Sequence, residues 1–285
     1  MRWAHARGTL DCSRGHLVGI LNATPDSFTD RGAHWGTERS VAHGIRLARQ
    51  GAAVVEVGGE SLQAGTPLDP DEEIARVVPV VARLTREIAV PIAVDTFKAP
   101  VAAAALAAGA SIVNDPTGFA WDPDMAWVVA SEGAGVVVSH YFGRPKEHPA
   151  SFPDVDVPWA IVEWGRERLA ACAAAGIEPE RVVVDPGVGL GTSPEQDLDL
   201  LRRLEEVTEI GRPVFVPISN KKVIGAVTGA PPKRRLSGTA AALVWCRARG
   251  ASLFRVHNVR FLRPVLAMAE ALVTGAPERW YEMAD

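Results

Sequence analysis

The chain has 285 residues, of which 47% are hydrophobic and 22% charged, a composition typical of a soluble globular protein with a large core. Its 34 acidic and 30 basic residues are spread along the chain and give a net charge of −4, so no basic face is available to follow a nucleic-acid backbone. The cysteines Cys12, Cys172 and Cys246 lack metal-ligand spacing, and the longest apolar stretch, 101–113, is too short for a bilayer, which takes roughly 20 residues. We therefore expect a cytoplasmic protein without an export signal or a membrane anchor, and no nucleic-acid partner.

Short runs rich in Val and Ile alternate with helical segments along the chain, which indicates a repeated βα unit. The predicted strands lie near His16–Leu21, Ala53–Val57, Pro91–Val94, Ser111–Val113, Gly135–Ser139, Arg181–Val184, Pro213–Ile218 and Ser252–Val256. The predicted helices are Glu38–Gln50, Asp71–Ile88, Pro100–Ala108, Asp124–Ser131, Pro158–Ala175, Pro194–Val207, Ser237–Arg249 and Phe261–Thr274. This pattern favours a (β/α)₈ TIM barrel forming a single α/β domain over residues 1–285, with 1–14 as an N-terminal extension; an open α/β sheet is the alternative.

Polar or charged residues close every predicted strand, at the rim where (β/α)₈ enzymes carry their sites. These residues are Asn22, Glu60, Ser61, Asp95, Asn114, Asp115, His140, Asp185, Ser219, Asn220, Lys221, Arg255 and His257. Asp95 and Asp185 follow strongly apolar runs, so we expect them where solvent is limited and a ligand's N–H groups would serve as partners; the alternative is that both cap helices. Arg255 and His257 are two residues apart on a strand, point the same way and form a candidate anion site with Asn22.

Common nucleotide and hydrolase signatures are missing from the sequence. It contains no GxGxxG, no GxxxxGK[ST] and no G-x-S-x-G, so nicotinamide, P-loop and serine-hydrolase chemistry are disfavoured. The segment 24–32 is rich in turn-forming residues and carries one aromatic residue, Phe28, which is typical of a mobile lid, although Phe28 packed on the barrel end is an equal alternative.

Seven ordered motifs give the chain a resemblance to a known family. They are GILNATPDSF at 19–28, GGES at 58–61, VDTFK at 94–98, IVND at 112–115, VDPGVG at 184–189, SNK at 219–221 and RVH at 255–257. In these residues the chain resembles the dihydropteroate synthase family, the pterin-binding (β/α)₈ barrels of folate biosynthesis, from residue 17 to about 272. The resemblance implies a homodimeric transferase that joins 6-hydroxymethyl-7,8-dihydropterin diphosphate to an arylamine, 4-aminobenzoate, with loss of diphosphate.

The resemblance also implies roles for individual residues. Pterin binding falls to Asp95, Asn114, Asp185 and Lys221, of which Asp95, Asp185 and Lys221 are also the implied catalytic residues. Diphosphate binding falls to Asn22, Arg255 and His257, with Mg²⁺ as the cofactor and Asn22 as one of its ligands. The acceptor side comprises Phe28, Leu62, Gln63, Ser219 and Asn220.

The departures from the family pattern lie on the acceptor side. Leu62 and Gln63 stand where the family carries a Thr that contacts the aminobenzoate and an Arg that approaches the diphosphate, and Asn220 replaces an Arg that flanks the aminobenzoate. Loss of such a charged contact costs on the order of 1.5–3 kcal/mol. A divergent paralogue with another acceptor amine, a non-catalytic pterin-binding protein and neutral variation in a loop therefore stay open; a pterin-dependent methyltransferase is disfavoured, because methyl transfer needs no diphosphate site.

Overall fold

The computed structural model describes residues 1–24, 36–62, 65–147 and 152–275. One sheet of eight parallel strands surrounds the core. Its strands are β3 (His16–Asn22), β4 (Val54–Gly58), β5 (Ile92–Asp95), β6 (Ile112–Asp115), β7 (Gly135–Ser139), β8 (Val182–Asp185), β9 (Phe215–Val216) and β10 (Leu253–Val256). A parallel bridge between Val184 and Val214 joins the two ends of the sheet. The predicted (β/α)₈ barrel is confirmed, and the open-sheet alternative is wrong.

The helices surround this sheet. In the described part of the chain they are α1 (Thr37–Arg49), α2 (Pro70–Glu87), α3 (Ala99–Ala107), α4 (Met125–Ser131), α5 (Val157–Ala174), α6 (Pro194–Arg202), α7 (Leu204–Val207), α8 (Lys222–Thr228), α9 (Leu236–Ala248) and α10 (Val259–Thr274). Among the helices that the structure describes, we find none with the length and apolarity needed to cross a membrane.

Three elements differ from the sequence prediction. The predicted helix 194–207 is two helices, because Arg203 leaves the helical conformation at φ −107° and ψ 26°. The predicted strand 213–218 is short because Pro213 and Pro217 have no N–H to donate to a neighbouring strand. The short helix α8 was not predicted.

Residues 1–14, predicted only as an extension, contain an antiparallel hairpin of β1 (Arg2–His5) and β2 (Gly8–Asp11). The hairpin closes the N-terminal end of the barrel. Trp3 is only 1% exposed and packs with a cluster of barrel side chains that includes Val18 and Leu253. Its indole Nε1 donates to the carbonyl oxygen of Arg181 at 2.9 Å. Water is thereby excluded from this end, and the opposite end is left for a ligand.

Polarity inside the barrel rises towards the C-terminal ends of the strands. Because alternate residues of a strand face the same side, β4 presents Val54 and then Glu56 to the interior. In the same way β10 presents Leu253 and then Arg255. Apolar side chains therefore fill the closed end, and charged side chains lie where the site was predicted.

Candidate active site

A buried ion cluster connects three barrel strands. The guanidinium of Arg255 on β10 pairs through Nε with Oε1 of Glu56 on β4, and through Nη2 with Oδ2 of Asp95 on β5 at 2.5 Å. The Glu56 side chain is 1% exposed, and burial raises its pKa to about 7 against the opposing effect of Arg255. Burial likewise raises the pKa of Asp95, with Arg255 and Lys221 opposing the shift. The cluster fixes Arg255 in one orientation.

Asn114 on β6 extends this cluster. Its Nδ2 donates to Oε2 of Glu56 at 3.2 Å, so the two oxygens of Glu56 serve different partners. The carbonyl oxygen Oδ1 of Asn114 is buried and has no hydrogen-bond partner in the described part of the chain. Burying an unpaired acceptor costs free energy of folding, so we expect a ligand to supply a donor to this oxygen.

Asp185, at the end of β8, is held by its own turn. Its Oδ1 accepts from the N–H of Gly187 at 2.8 Å, and its Oδ2 accepts from the hydroxyl of Ser139 at 3.0 Å. Burial raises its pKa to about 6, although the Gly187 N–H and Lys221 favour the charged form. The turn requires glycine at 187, where φ is +77° and a Cβ atom would overlap the carbonyl oxygen of His140.

Lys221 lies beside these acids. Burial lowers its pKa, and the charge of Asp185 counteracts this shift. The Lys221 stem passes the backbone of Gly189, where a Cβ atom would come within 3.3 Å of its Cδ. Together, Glu56, Asp95, Asn114, Asp185, Lys221 and Arg255 form the barrel mouth, which contains all four residues predicted to bind the pterin.

Of the predicted diphosphate residues, Arg255 lies in the barrel mouth, whereas Asn22 and His257 lie at the ends of two neighbouring strands, β3 and β10. His257 follows β10, and its Nδ1 lies 2.9 Å from the hydroxyl of Ser219. Asn22 ends β3 and pairs in register with Gly58 of β4. Ser219, predicted on the acceptor side, therefore directly contacts a residue predicted on the diphosphate side.

The acceptor rim, described at residues 61–62, 65–68 and 219–220, is built around backbone groups. Asn220 adopts a left-handed conformation with φ +58°, which Asn tolerates better than most residues. Arg235 donates to the carbonyl oxygen of Asn220 at 3.0 Å. The backbone N–H of Asn220 donates to the hydroxyl of Thr239 at 3.2 Å. Leu62 is half-buried. Phe28 and Gln63 lie outside the described residues.

Glu60, which follows β4, does not join the barrel mouth. It pairs with Lys98 at 2.6 Å and with Lys146 at 2.8 Å, and Lys98 also pairs with buried Glu73 at 2.7 Å. The N–H of Leu68 donates to Glu60 at 2.9 Å. Glu60 and Lys98 thus anchor the loop that carries Leu62.

Asp115 also lies apart from the mouth. It accepts from the N–H and hydroxyl of Thr117, each at 2.8 Å, and from the N–H of Phe119 at 2.8 Å. The next loop is therefore organised around this carboxylate.

Glu56 is the residue that the sequence prediction missed. The sequence contains a signal for it, because Glu56 is a lone acid in the apolar run 53–57 and alternates with Val54. An acid at an interior position of a barrel strand needs a buried partner, which Arg255 supplies.

Comparison with known proteins places this geometry in context. Residues 18–257 match the family model described as pterin binding enzyme. The chain is 35% identical over 279 residues to dihydropteroate synthase of Escherichia coli (strain K12), covering 97% of this chain and 99% of that protein. A Yersinia pestis dihydropteroate synthase solved with a sulfonamide drug complex superposes with a TM-score of 0.92 at 33% identity, covering 97% of this chain and 100% of that one. A Xanthomonas albilineans dihydropteroate synthase in complex with 7,8-dihydropteroate has a TM-score of 0.86 at 38% identity, with coverage of 97% and 100%.

Proposed function

The chain belongs to the dihydropteroate synthase family of pterin-binding enzymes, and we propose on this premise that it is a transferase of folate biosynthesis. It joins 6-hydroxymethyl-7,8-dihydropterin diphosphate to 4-aminobenzoate and releases diphosphate. The observation that carries the proposal is the set of buried acceptors in the barrel mouth, above all the unpaired Oδ1 of Asn114. The Xanthomonas albilineans neighbour, solved with 7,8-dihydropteroate, supports the same substrate class.

The ring of the substrate suits the barrel mouth. An aminopyrimidine edge offers several N–H donors close together. Asp95 on β5, Asn114 on β6 and Asp185 on β8 offer matching acceptors in the barrel wall. Lys221 supplies a donor for a ring oxygen or nitrogen. Buried acceptors pair with a ligand's donors at low cost because they are already desolvated and oriented.

The diphosphate falls to Arg255, His257 and Asn22. No group of three or more His, Cys, Asp or Glu residues able to hold a metal occurs among the described residues. Mg²⁺, however, typically takes only one or two protein ligands and completes its shell with phosphate oxygens and water. The single amide oxygen of Asn22 fits such a metal, which when bound would stabilise the negative charge of the departing diphosphate.

The chemistry follows from charge placement. Breaking the C–O bond leaves its electron pair on the diphosphate and a positive pterin-methylene fragment. Asp95 and Asp185 stabilise this positive charge, while Arg255 stabilises the leaving group. The lone pair of the arylamine then forms the C–N bond, and the amine proton leaves to solvent or to diphosphate. Little proton transfer by the protein is needed.

A second candidate is a transferase of the same kind with another acceptor amine. The observation that favours it is that the replaced positions Leu62 and Asn220 lie on the acceptor rim, whereas the barrel mouth keeps its charged set. A pterin-binding protein without transferase activity would keep the same mouth.

Titration calorimetry followed by turnover assays separates these functions. We expect the protein to bind 6-hydroxymethyl-7,8-dihydropterin diphosphate with Mg²⁺ and to form dihydropteroate when 4-aminobenzoate is added. Binding without product, at saturating 4-aminobenzoate, would favour another amine, to be sought among other arylamines. An absence of binding would refute both transferase functions.

Assembly and location complete the proposal. Large apolar side chains on α9 and α10 are exposed, among them Trp245, Phe261, Met268 and Leu272, which supports a homodimer through these helices. Light scattering on the purified protein tests this.

The described cysteines Cys12, Cys172 and Cys246 are free and buried, which supports a reducing compartment, the cytoplasm.

A further inference from the structure

Glu56 contacts both halves of the proposed site. Its Oε1 pairs with Arg255, which is proposed to bind the diphosphate, and its Oε2 accepts from Nδ2 of Asn114, which is proposed to bind the pterin. The side chain is 1% exposed, so solvent does not compete for either oxygen. No other described carboxylate is bonded to both Arg255 and Asn114.

The bond to Asn114 has a consequence for the ligand. In its ionised form, which the paired Arg255 favours, the Glu56 carboxylate accepts and does not donate, so only the NH₂ end of the Asn114 amide can then face it. The carbonyl oxygen Oδ1 is thereby turned to the other side, where it is buried and unpaired among the described residues. Among the described residues, Glu56 is the only one bonded to the Asn114 side-chain amide, so without the negative charge of Glu56 the amide is free to rotate.

We propose that Glu56 is a positioning residue that sets both halves of the site at once. It holds Arg255 for the diphosphate and fixes the Asn114 amide so that a ring edge must present an N–H to Oδ1. The inference rests on the proposed function, because it takes the pterin diphosphate as the ligand. It adds a residue that selects the hydrogen-bonding pattern of the ring without touching the ligand.

Separate half-ligands test the proposal. Calorimetry would compare wild type and Glu56→Gln for 6-hydroxymethyl-7,8-dihydropterin and for magnesium diphosphate. Glutamine keeps the shape and removes the charge, so we expect both affinities to fall by about tenfold or more. Weakening of the diphosphate alone would mean that Glu56 acts only through Arg255, and would overturn the proposal.

A double-mutant cycle tests the route through Asn114. In an Asn114→Ala background, Glu56→Gln should change ring affinity by less than about twofold, because the amide that it orients is gone. Undiminished weakening in that background would overturn the proposal. The matched control is Glu270→Gln, which also removes the charge of a carboxylate paired with an arginine, Arg247, but next to Gly15 at the closed end of the barrel. Both half-ligands should bind Glu270→Gln as they bind wild type.

Two outcomes separate this inference from the proposed function. A wild-type protein that binds no pterin ligand refutes the proposed function, whereas normal wild-type binding with unchanged Glu56→Gln binding refutes only the role of Glu56. If circular dichroism shows that Glu56→Gln does not fold, the role of Glu56 is tested instead by an NMR titration of isotope-labelled wild-type protein.

In the labelled protein, the Asn114 side-chain amide signal should follow the protonation of Glu56 as the pH passes about 7. The charged groups that face Glu56 are Arg255, Asp95 and Asp185, and they are followed in the same spectra. If the Asn114 amide signal stays constant while the Glu56 carboxyl signal titrates, the proposal is overturned.

Discussion

The barrel mouth and the acceptor rim are held in place in different ways. In the mouth, side chains fix one another, as Arg255 does with Glu56 and Asp95. On the rim, backbone groups are fixed, as when Arg235 donates to the carbonyl oxygen of Asn220 and the N–H of Gly65 donates to the carbonyl oxygen of Lys146. An acceptor-side residue such as Leu62 can therefore change without moving the loop, which Glu60 and Lys98 anchor, whereas a change in the mouth disturbs its neighbours.

The largest effect should follow from a change in the mouth. We expect Asp185→Asn to lower kcat/KM by on the order of 10²–10³, because it removes a charge placed against the positive pterin fragment. Steady-state kinetics measure the loss, and thermal unfolding verifies that the fold persists. The control is Asp156→Asn, at the exposed start of α5, which should leave turnover unchanged. A loss below tenfold in Asp185→Asn would mean that its charge is not catalytic.

The network below the rim should matter mainly for stability. Lys98→Met leaves Glu60 without one partner, and it leaves Glu73 without its one cationic partner among the described residues. We therefore expect a loss of about 3–5 kcal/mol in the free energy of unfolding. Denaturant titration measures it. Arg83→Met is the matched control, because it breaks the exposed pair with Glu38 at 2.9 Å and should cost less than about 1 kcal/mol. Equal costs would show that the buried network does not anchor the rim.

Asp115, the last residue of β6, allows a test of how stability depends on pH. Burial raises its folded-state pKa to about 6 from 3.8, so its contribution to stability is complete below about pH 4 and is lost as the pH rises through about 6. Asp115→Asn does not titrate. Its destabilisation relative to wild type should therefore shrink between pH 4 and 7, by up to about 3 kcal/mol for a shift of two units.

The control for this pH test is Asp156→Asn, because hydrogen bonds from Arg203 and Trp159 lower the pKa of Asp156. Its stability difference from wild type should stay flat between pH 5 and 7. A flat difference for Asp115→Asn would instead mean that Asp115 is charged throughout this range.

The smallest effect should come from restoring the rim. The double change Gln63→Arg with Asn220→Arg should raise kcat/KM for 4-aminobenzoate by about tenfold. The affinity for 6-hydroxymethyl-7,8-dihydropterin, which carries no diphosphate, should change less than twofold. The gain is limited because the left-handed conformation at 220 costs an arginine about 1 kcal/mol. Leu198→Arg on α6 controls for added charge. An unchanged kcat/KM would place the cause of altered acceptor use elsewhere.

Much of the fold could be predicted from the sequence, because hydrophobic residues recur with different periods in strands and in helices. The candidate site could be predicted because polar residues follow the ends of the strands. The hairpin at 1–14 escaped prediction because its apolar residues are few and Trp3 finds its partners far along the chain. Glu56 was not predicted because it lies inside strand β4 and not at its end, and because its partner Arg255 is 199 positions away in the sequence. The left-handed backbone of Asn220 is set by contacts with Arg235 and Thr239, which no local pattern reveals.

The Trp3 indole bonds to Arg181, which is 178 positions later in the chain. The place that buries Trp3 therefore does not exist until the segment around Arg181 has folded. Contacts this distant in sequence form slowly, because a long loop must close first. We therefore expect the burial of Trp3 to be a late step in folding, which completes the closed end of the barrel.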